Sequence, residues 1–149
     1  MRAVVQRVKA CTVTVDATAV GSIGRGLLVY LGVEREDTDK DLMYLVEKIT
    51  GLRIFQDSDD KMNLSVMDFS GEILVVSQFT LCADTRKGKR PSYNNAAHPR
   101  EGERYYNRFI ETVKDRGIHT SSGIFGARME VTYTNEGPVT ILLDSRRTF

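Results

Sequence analysis

Glu72-Ile73-Leu74-Val75-Val76-Ser77-Gln78-Phe79-Thr80-Leu81 contains the most apolar run of the chain, and its reading decides the fold. Four consecutive aliphatic residues without polar alternation are the pattern of a strand covered on both faces, and Ser70-Gly71 ahead of them is a turn signal. A central strand is therefore expected over residues 72–79. Its far end carries two hydroxyls and an amide, on Ser77, Gln78 and Thr80. A rigid strand end can present such groups to a ligand, and the same groups also commonly satisfy the backbone of a turn.

Towards the N-terminus, Val4, Val5, Val8, Val13 and Val15 interleave with Arg7, Lys9, Thr12 and Thr14. This is strand patterning, with a bend or bulge expected near Ala10-Cys11. A short strand over 17–24, a tight turn at Gly24-Arg25-Gly26 and a strand over 27–33 complete an antiparallel opening third. Asp37-Thr38-Asp39 supplies N-caps for an amphipathic helix through Leu42, Leu45, Val46 and Ile49, with Gly51 as its stop. A strand starts at 52–55. In the polar loop that follows, Asp57, Asp59 and Asn63 resemble calcium-loop ligands, but the loop lacks the turn glycine and the distal Glu.

Towards the C-terminus lies a long polar loop, about 83–99, then a second amphipathic helix over 101–116 stopped by Gly117. Gly123 to Ala127 makes a flexible connection. Strands over 129–134 and 139–144 flank Asn135-Glu136-Gly137-Pro138, which reads as a hairpin turn. The whole predicts an α+β domain, a rolled, mainly antiparallel, barrel-like sheet with two amphipathic helices. At 149 residues, 41% hydrophobic and 28% charged, the chain fits one domain, 1–149, with ordinary globular composition.

The 21 basic and 20 acidic residues leave a formal charge of +1. No global field is available for a duplex, so no DNA partner is expected, and phosphate contact must come from local clustering. Arg86, Lys87, Lys89 and Arg90 are such a cluster, equally readable as a solvated loop. Cys11 and Cys82 form no CxxC, no apolar run is long enough to span a bilayer, and the N-terminus reads directly as strand. Together these predict a soluble protein of the reduced cytoplasm, without membrane contact.

Conventional catalysts are scarce. His98 and His119 lie in no triad pattern, no HxxH, HExxH or paired CxxC motif suggests a metal, and Cys82 reads as a small buried thiol, so neither metal nor cofactor is expected. What remains is hydroxyls, an amide and backbone. If the central strand ends near Phe79, the Phe79 and Thr80 N–H groups leave the ladder and become oxyanion donors, suited to an activated ester more than to an amide. Gly137-Pro138 is a turn or a functional pair, and Phe125 and Met129 are core or a base-packing surface. Two other function classes fit the same residues: a non-catalytic RNA-end module using Arg86, Lys87, Lys89 and Arg90, and a structural dimer without a pocket.

Ser77-Gln78-Phe79-Thr80-Leu81, with Asn135-Glu136-Gly137-Pro138-Val139-Thr140 and the opening Met1-Arg2-Ala3-Val4-Val5-Gln6-Arg7-Val8, resembles the D-aminoacyl-tRNA deacylases from end to end. The resemblance implies a homodimeric, cytoplasmic hydrolase that cuts the ester between a D-amino acid, or glycine mischarged on tRNA-Ala, and the 3′ end of tRNA. It places Ser77, Gln78, Phe79 and Thr80 at the scissile ester. It makes Gly137-Pro138 a cis pair that enters the other subunit's pocket and excludes L-amino acids. Arg7 resembles the residue holding that loop, and Phe125 and Met129 the adenosine contacts.

Overall fold

The computed structural model describes residues 1–148. β1 (Arg2–Val15) is the organising strand, antiparallel to three others. β2 (Thr18–Ile23) faces its residues 11–15 and β3 (Gly26–Gly32) its residues 2–8. Asp16 and Ala17, at φ 47° and 62°, form the two-residue turn whose twist suits a hairpin. β2 and β3 therefore run in one direction along one edge of β1. The expected tight turn at Gly24-Arg25-Gly26 is a short break in that edge and not a reversal.

α1 (Asp39–Gly51) leads from β3 towards β6 (Glu72–Ser77), and α2 (Pro99–Lys114) leads from β6 to β7 (Thr120–Ser122). A helical crossover returns the chain parallel to the strand it left, so β3–β6 and β6–β7 are parallel pairs. Between α1 and β6, β4 (Phe55–Gln56) and β5 (Met62–Leu64) form a small separate hairpin. The order β2-β1-β3-β6-β7 rolls back on itself, and Ser22 N–H donates to Ser121 Oγ at 3.1 Å across the near-closure. The result is an α+β, barrel-like mixed sheet with two helices.

The expected C-terminal hairpin does not form. β8 (Glu130–Asp144) is one strand that follows β1 antiparallel along nearly its full length. Both halves present complementary edges to the same partner, so Asn135-Pro138 becomes a bulge within one strand instead of a reversal. α1 starts after Thr38 and ends at Gly51 as its caps dictate, and the Asp41 carboxylate accepts Thr38 N–H at 2.8 Å. α2 starts two residues before the expected position, because Pro99 at the first turn lacks only a donor the helix does not use.

Alternation along the sheet separates two apolar layers. Ala3, Val5, Leu27, Val29, Leu31, Ile73 and Val75 pack with Leu42, Leu45, Val46 and Ile49 of α1 and Tyr106, Phe109 and Val113 of α2. Val8, Cys11, Val13, Leu28, Leu74 and Val76 form the layer on the other side. The central strand is thus buried on both faces, as its unbroken apolar run requires.

Candidate active site

β6 ends at Ser77, two residues earlier than the apolar pattern suggested. Gln78 N–H still donates to Leu31 O at 2.8 Å, and the chain then tightens into a single 3-10 turn, Phe79–Cys82. Leu81 N–H closes it on Gln78 O at 3.2 Å. The first amides of such a turn have no acceptor inside it. Among the described residues neither Phe79 N–H nor Thr80 N–H finds an acceptor elsewhere. Gln78 Nε2 donates to Thr80 Oγ1, which leaves the threonine's own proton free to be donated.

The turn can sit this close because residue 32 has no side chain. A Cβ on Gly32 would lie 3.0 Å from Gln78 O and 3.1 Å from Cys82 Sγ. Burial pushes the Cys82 thiol up to about 11, the Glu34 carboxylate adding to the effect, so it is a protonated thiol and not a nucleophile.

Ser77, Phe79 and Phe125 meet at one cavity of about 370 Å³, completed by Ala96, Ala97, Pro99, Gly126 and Ala127. A narrow inner cleft continues it past Gln78, Gly102 and Tyr106. Ala96 and Ala97 form one wall, held in place because Ala97 N–H is tied to Val33 O at 2.9 Å. Phe79 is 58% exposed and meets the Tyr93 ring edge-on at 5.1 Å. Thr80, Met129, Arg7, Gly137 and Pro138 do not line this cavity. Met129 packs against the second apolar layer, with its sulfur beside Gly123.

Sequence patterning missed Tyr106 and Gly102. Tyr106 O–H donates to Val75 O at 2.8 Å, and burial pushes its pKa up to about 12, so it braces β6 beneath Ser77. A Cβ on Gly102 would already reach Phe125 Cζ at 3.4 Å, so this helix position leaves room for the ring. Both lie on the α2 stripe at spacings of 102, 106, 109 and 113, a signal that identifies buried positions but not which cavity they face.

Gly137 and Pro138 project from the opposite edge of β1. Between the pairs Gln6–Thr140 and Val8–Asn135, β1 has one residue, Arg7, while β8 has four, 136–139. The Gly137-Pro138 peptide is cis, and both residues are exposed. Arg7, 6% exposed, anchors the bulge by donating from Nε to Glu136 O at 3.0 Å and from Nη1 to Ile54 O at 2.5 Å. Arg25 grips the same residue from outside, at 3.2 Å from the Glu136 carboxylate, and its guanidinium lies over the Phe55 and Phe69 rings. Arg25 is a second anchor that the sequence motif did not reveal.

The basic segment caps a loop whose base is closed by Asp84 and Ser92, bonded to each other at 2.8 and 2.9 Å. Arg86 folds back onto the Asp84 carboxylate at 2.9 and 2.7 Å, which holds that carboxyl well below the usual carboxylate range. Lys87, Lys89 and Arg90 are exposed and have no acidic partner among the described residues. His98 precedes α2 and His119 lies near the start of β7, and neither lines the cavity. Among the described residues no three His, Cys, Asp or Glu side chains converge as metal ligands, and no helix there is long and apolar enough to cross a membrane.

A rolled mixed sheet with two helices, and an apolar cavity where β6 gives way to the 79–82 turn, defines the class as a barrel-like α+β domain. A family model described as D-Tyr-tRNA(Tyr) deacylase matches residues 4–144, and the chain belongs to that family. It is 54% identical to the D-aminoacyl-tRNA deacylase of Clostridioides difficile (strain 630) over 149 residues, covering 100% of both chains. It is also 54% identical, again with 100% coverage of both, to the enzyme of that name from Thermotoga petrophila. A solved structure named c-Myc DNA Unwinding Element Binding Protein superposes with a TM-score of 0.92 at 45% identity, covering 97% of this chain and 98% of that one. A probable eukaryotic D-amino acid tRNA deacylase, 22% identical, shares the fold with a TM-score of 0.83 over 95% of this chain and 97% of that one.

Proposed function

We propose that the protein hydrolyses the ester joining a D-amino acid, or glycine mischarged on tRNA-Ala, to the 3′-terminal adenosine of tRNA, releasing free amino acid and tRNA. The observation that carries this is the pair of unpaired amides at Phe79 and Thr80, on the turn that directly follows Ser77 and whose Phe79 lines the cavity with Ser77 and Phe125. Two preorganised N–H donors stabilise the charge that develops on a carbonyl oxygen when it is attacked. An aminoacyl ester needs little more. Its α-ammonium and neighbouring ribose hydroxyl already activate it, so water or the 2′-hydroxyl attacks without a strong protein base.

Thr80 then acts as a hydrogen-bond donor to the oxyanion, since no basic group lies against its hydroxyl. Phe125 packs the adenine, with Met129 as a further contact, and Lys87, Lys89 and Arg90, with Arg86, meet phosphates of the acceptor end. The working form is a cytoplasmic homodimer. Gly137 and Pro138 of a second copy enter the pocket, and their main chain occupies the space an L-side chain needs, whatever that side chain is. Their exposure on a bulge, outside the residues that line the cavity of their own chain, supports that arrangement.

The test is release of tyrosine from D-tyrosyl-tRNA and L-tyrosyl-tRNA by purified protein. Release from the D-form alone is expected, and equal rates on both would remove the selectivity. The solved neighbour named for a DNA element supports a second possibility, duplex DNA binding. With 21 cations against 20 anions the chain has little net field for a duplex. Tight duplex binding at physiological salt without ester turnover would reverse the preference.

A further inference from the structure

We propose that Arg2 is a positioning residue for the reaction, holding the turn that carries the Phe79 and Thr80 amides in register with the cavity. The proposal rests on the deacylase function put forward above. Arg2 is the first residue of β1, and its ladder neighbours are Gly32 on β3 and Asp144 on β8. Those two neighbours define what its side chain can do. Gly32 is the position over which the turn packs. Asp144, 4% exposed, is the carboxylate across the strand.

Arg2 Nη1 donates to Leu81 O, inside the turn, at 3.0 Å. Its other nitrogens face buried carboxylates, Nη2 at 3.6 Å from Glu34 Oε1 and Nε at 3.6 Å from Asp144 Oδ2. Nε is itself buried and makes no hydrogen bond. Both carboxylates are fixed in turn. Asp144 accepts Arg146 N–H at 2.8 Å and the Thr148 hydroxyl, and Glu34 lies 3.9 Å from both the Met1 amine and Arg146. The guanidinium head is therefore held by a scaffold at the end of the sheet, and its remaining bond goes to the turn.

That bond has a direction. A helical turn leaves N–H groups free at its first residues and carbonyls free at its last. Here the first amides are the proposed oxyanion donors, and the cation sits on a carbonyl at the other end. Arg2 thus pins the carbonyl end of the turn to the scaffold, and through it the placement of the Phe79 and Thr80 amides. The other ties on the turn are neutral: Gln78 N–H to Leu31 O and the Cys82 thiol to Val33 O at 3.5 Å. A transition-state site tolerates displacements of only about 0.5 Å, so loosening this end reduces rate more than binding.

The experiment compares wild type with Arg2→Met, which keeps the apolar stem, and Arg2→Lys, which keeps the charge. Single-turnover and steady-state hydrolysis of D-tyrosyl-tRNA are followed, with amide hydrogen exchange over residues 78–83 as a second readout. Arg2→Met is expected to lower kcat about tenfold with KM within about twofold, and Arg2→Lys to recover part of it. Exchange at 78–83 is expected to quicken locally while α1 and α2 stay protected. Unchanged kcat per folded molecule in Arg2→Met would overturn the proposal, as would uniform loss of protection across the whole chain. If wild type itself gave no turnover, the deacylase function would fail separately. Hydrogen exchange would then still decide whether Arg2 holds the turn, and unchanged local exchange would overturn that too.

Discussion

Arg7 Nε donates to the carbonyl oxygen of Glu136 at 3.0 Å, so one buried arginine of β1 anchors the bulge that carries Gly137 and Pro138. The same guanidinium satisfies Ile54 O, which ties the bulge to the chain that follows α1. Arg7→Ala leaves two carbonyls without their charged donor, and a hydrogen bond to a charged group contributes about 1.5–3 kcal/mol. The expected outcome is a loss of about 2 kcal/mol or more in urea unfolding, with a raised ratio of L- to D-tyrosyl-tRNA hydrolysis at temperatures where the variant stays folded. Arg7→Lys is expected to fall between, because an ammonium lacks the fork that reaches both carbonyls. Full stability with unchanged selectivity in Arg7→Ala would show that the bulge holds itself.

Thr80 receives a hydrogen bond from Gln78 and faces no base, which separates two roles for its hydroxyl. As an oxyanion donor it contributes one hydrogen bond, and Thr80→Ala is expected to lower kcat by roughly 100- to 1000-fold while the backbone amides sustain the rest. Single-turnover rates on D-tyrosyl-tRNA measure this. Complete loss of hydrolysis with undiminished tRNA binding would make Thr80 the nucleophile instead.

The loop cations are not equivalent. Arg86 is held by Asp84 while Lys87, Lys89 and Arg90 are exposed and unpaired among the described residues. Single-strand binding releases about 0.7 counterion per neutralised phosphate. Replacing Lys87, Lys89 and Arg90 together by alanine is expected to flatten the slope of log K against log salt for tRNA by about 2 units. Arg86→Ala alone is expected to change it by well under one. Equal slopes for wild type and the triple variant would mean the loop does not touch the acceptor end.

What the sequence made legible follows from which interactions are local. The limits of α1 were written in Thr38 and Gly51, and the burial of β6 in four consecutive aliphatic residues, since caps and periodicity act over a few positions. The parallel pairing of β3, β6 and β7 was not legible, because it depends on where two helices return the chain. β7, Thr120–Ser122, has only three polar residues to announce it. Asn135-Glu136-Gly137-Pro138 has the composition of a reversal, yet tertiary pairing of both flanks with β1 overrides it. The candidate hydroxyls and amides at 77–80 lie within one short segment, so sequence alone could single them out. Tyr106 and Gly102 reach that segment's cleft only through the packing of α2, and Arg25 reaches the Glu136 bulge only by a contact across the fold. Nothing near them in the chain marks that.

Cys11 and Cys82 give the fold a defined alkaline limit. Both are buried, and burial pushes each thiol up to about 11 from an ordinary 9.0. Below pH 9 the thiols are protonated whether the chain is folded or not, so they contribute no pH dependence. Between 9 and 11 the unfolded chain ionises them while the folded chain does not. Unfolding then releases protons, and stability falls as pH rises. Tyr30 and Tyr106, pushed up to about 12 mainly by burial, extend the same trend. Thermal unfolding is therefore expected to show a melting temperature falling steadily from pH 9 to pH 11. Iodoacetamide at pH 8 is expected to label neither cysteine until urea unfolds the protein. The variant Cys11→Ala/Cys82→Ala should show a shallower alkaline fall. A slope identical to wild type would assign the effect to the tyrosines, and rapid labelling of the native protein would mean that β1 or the 79–82 turn opens far more often than its packing implies.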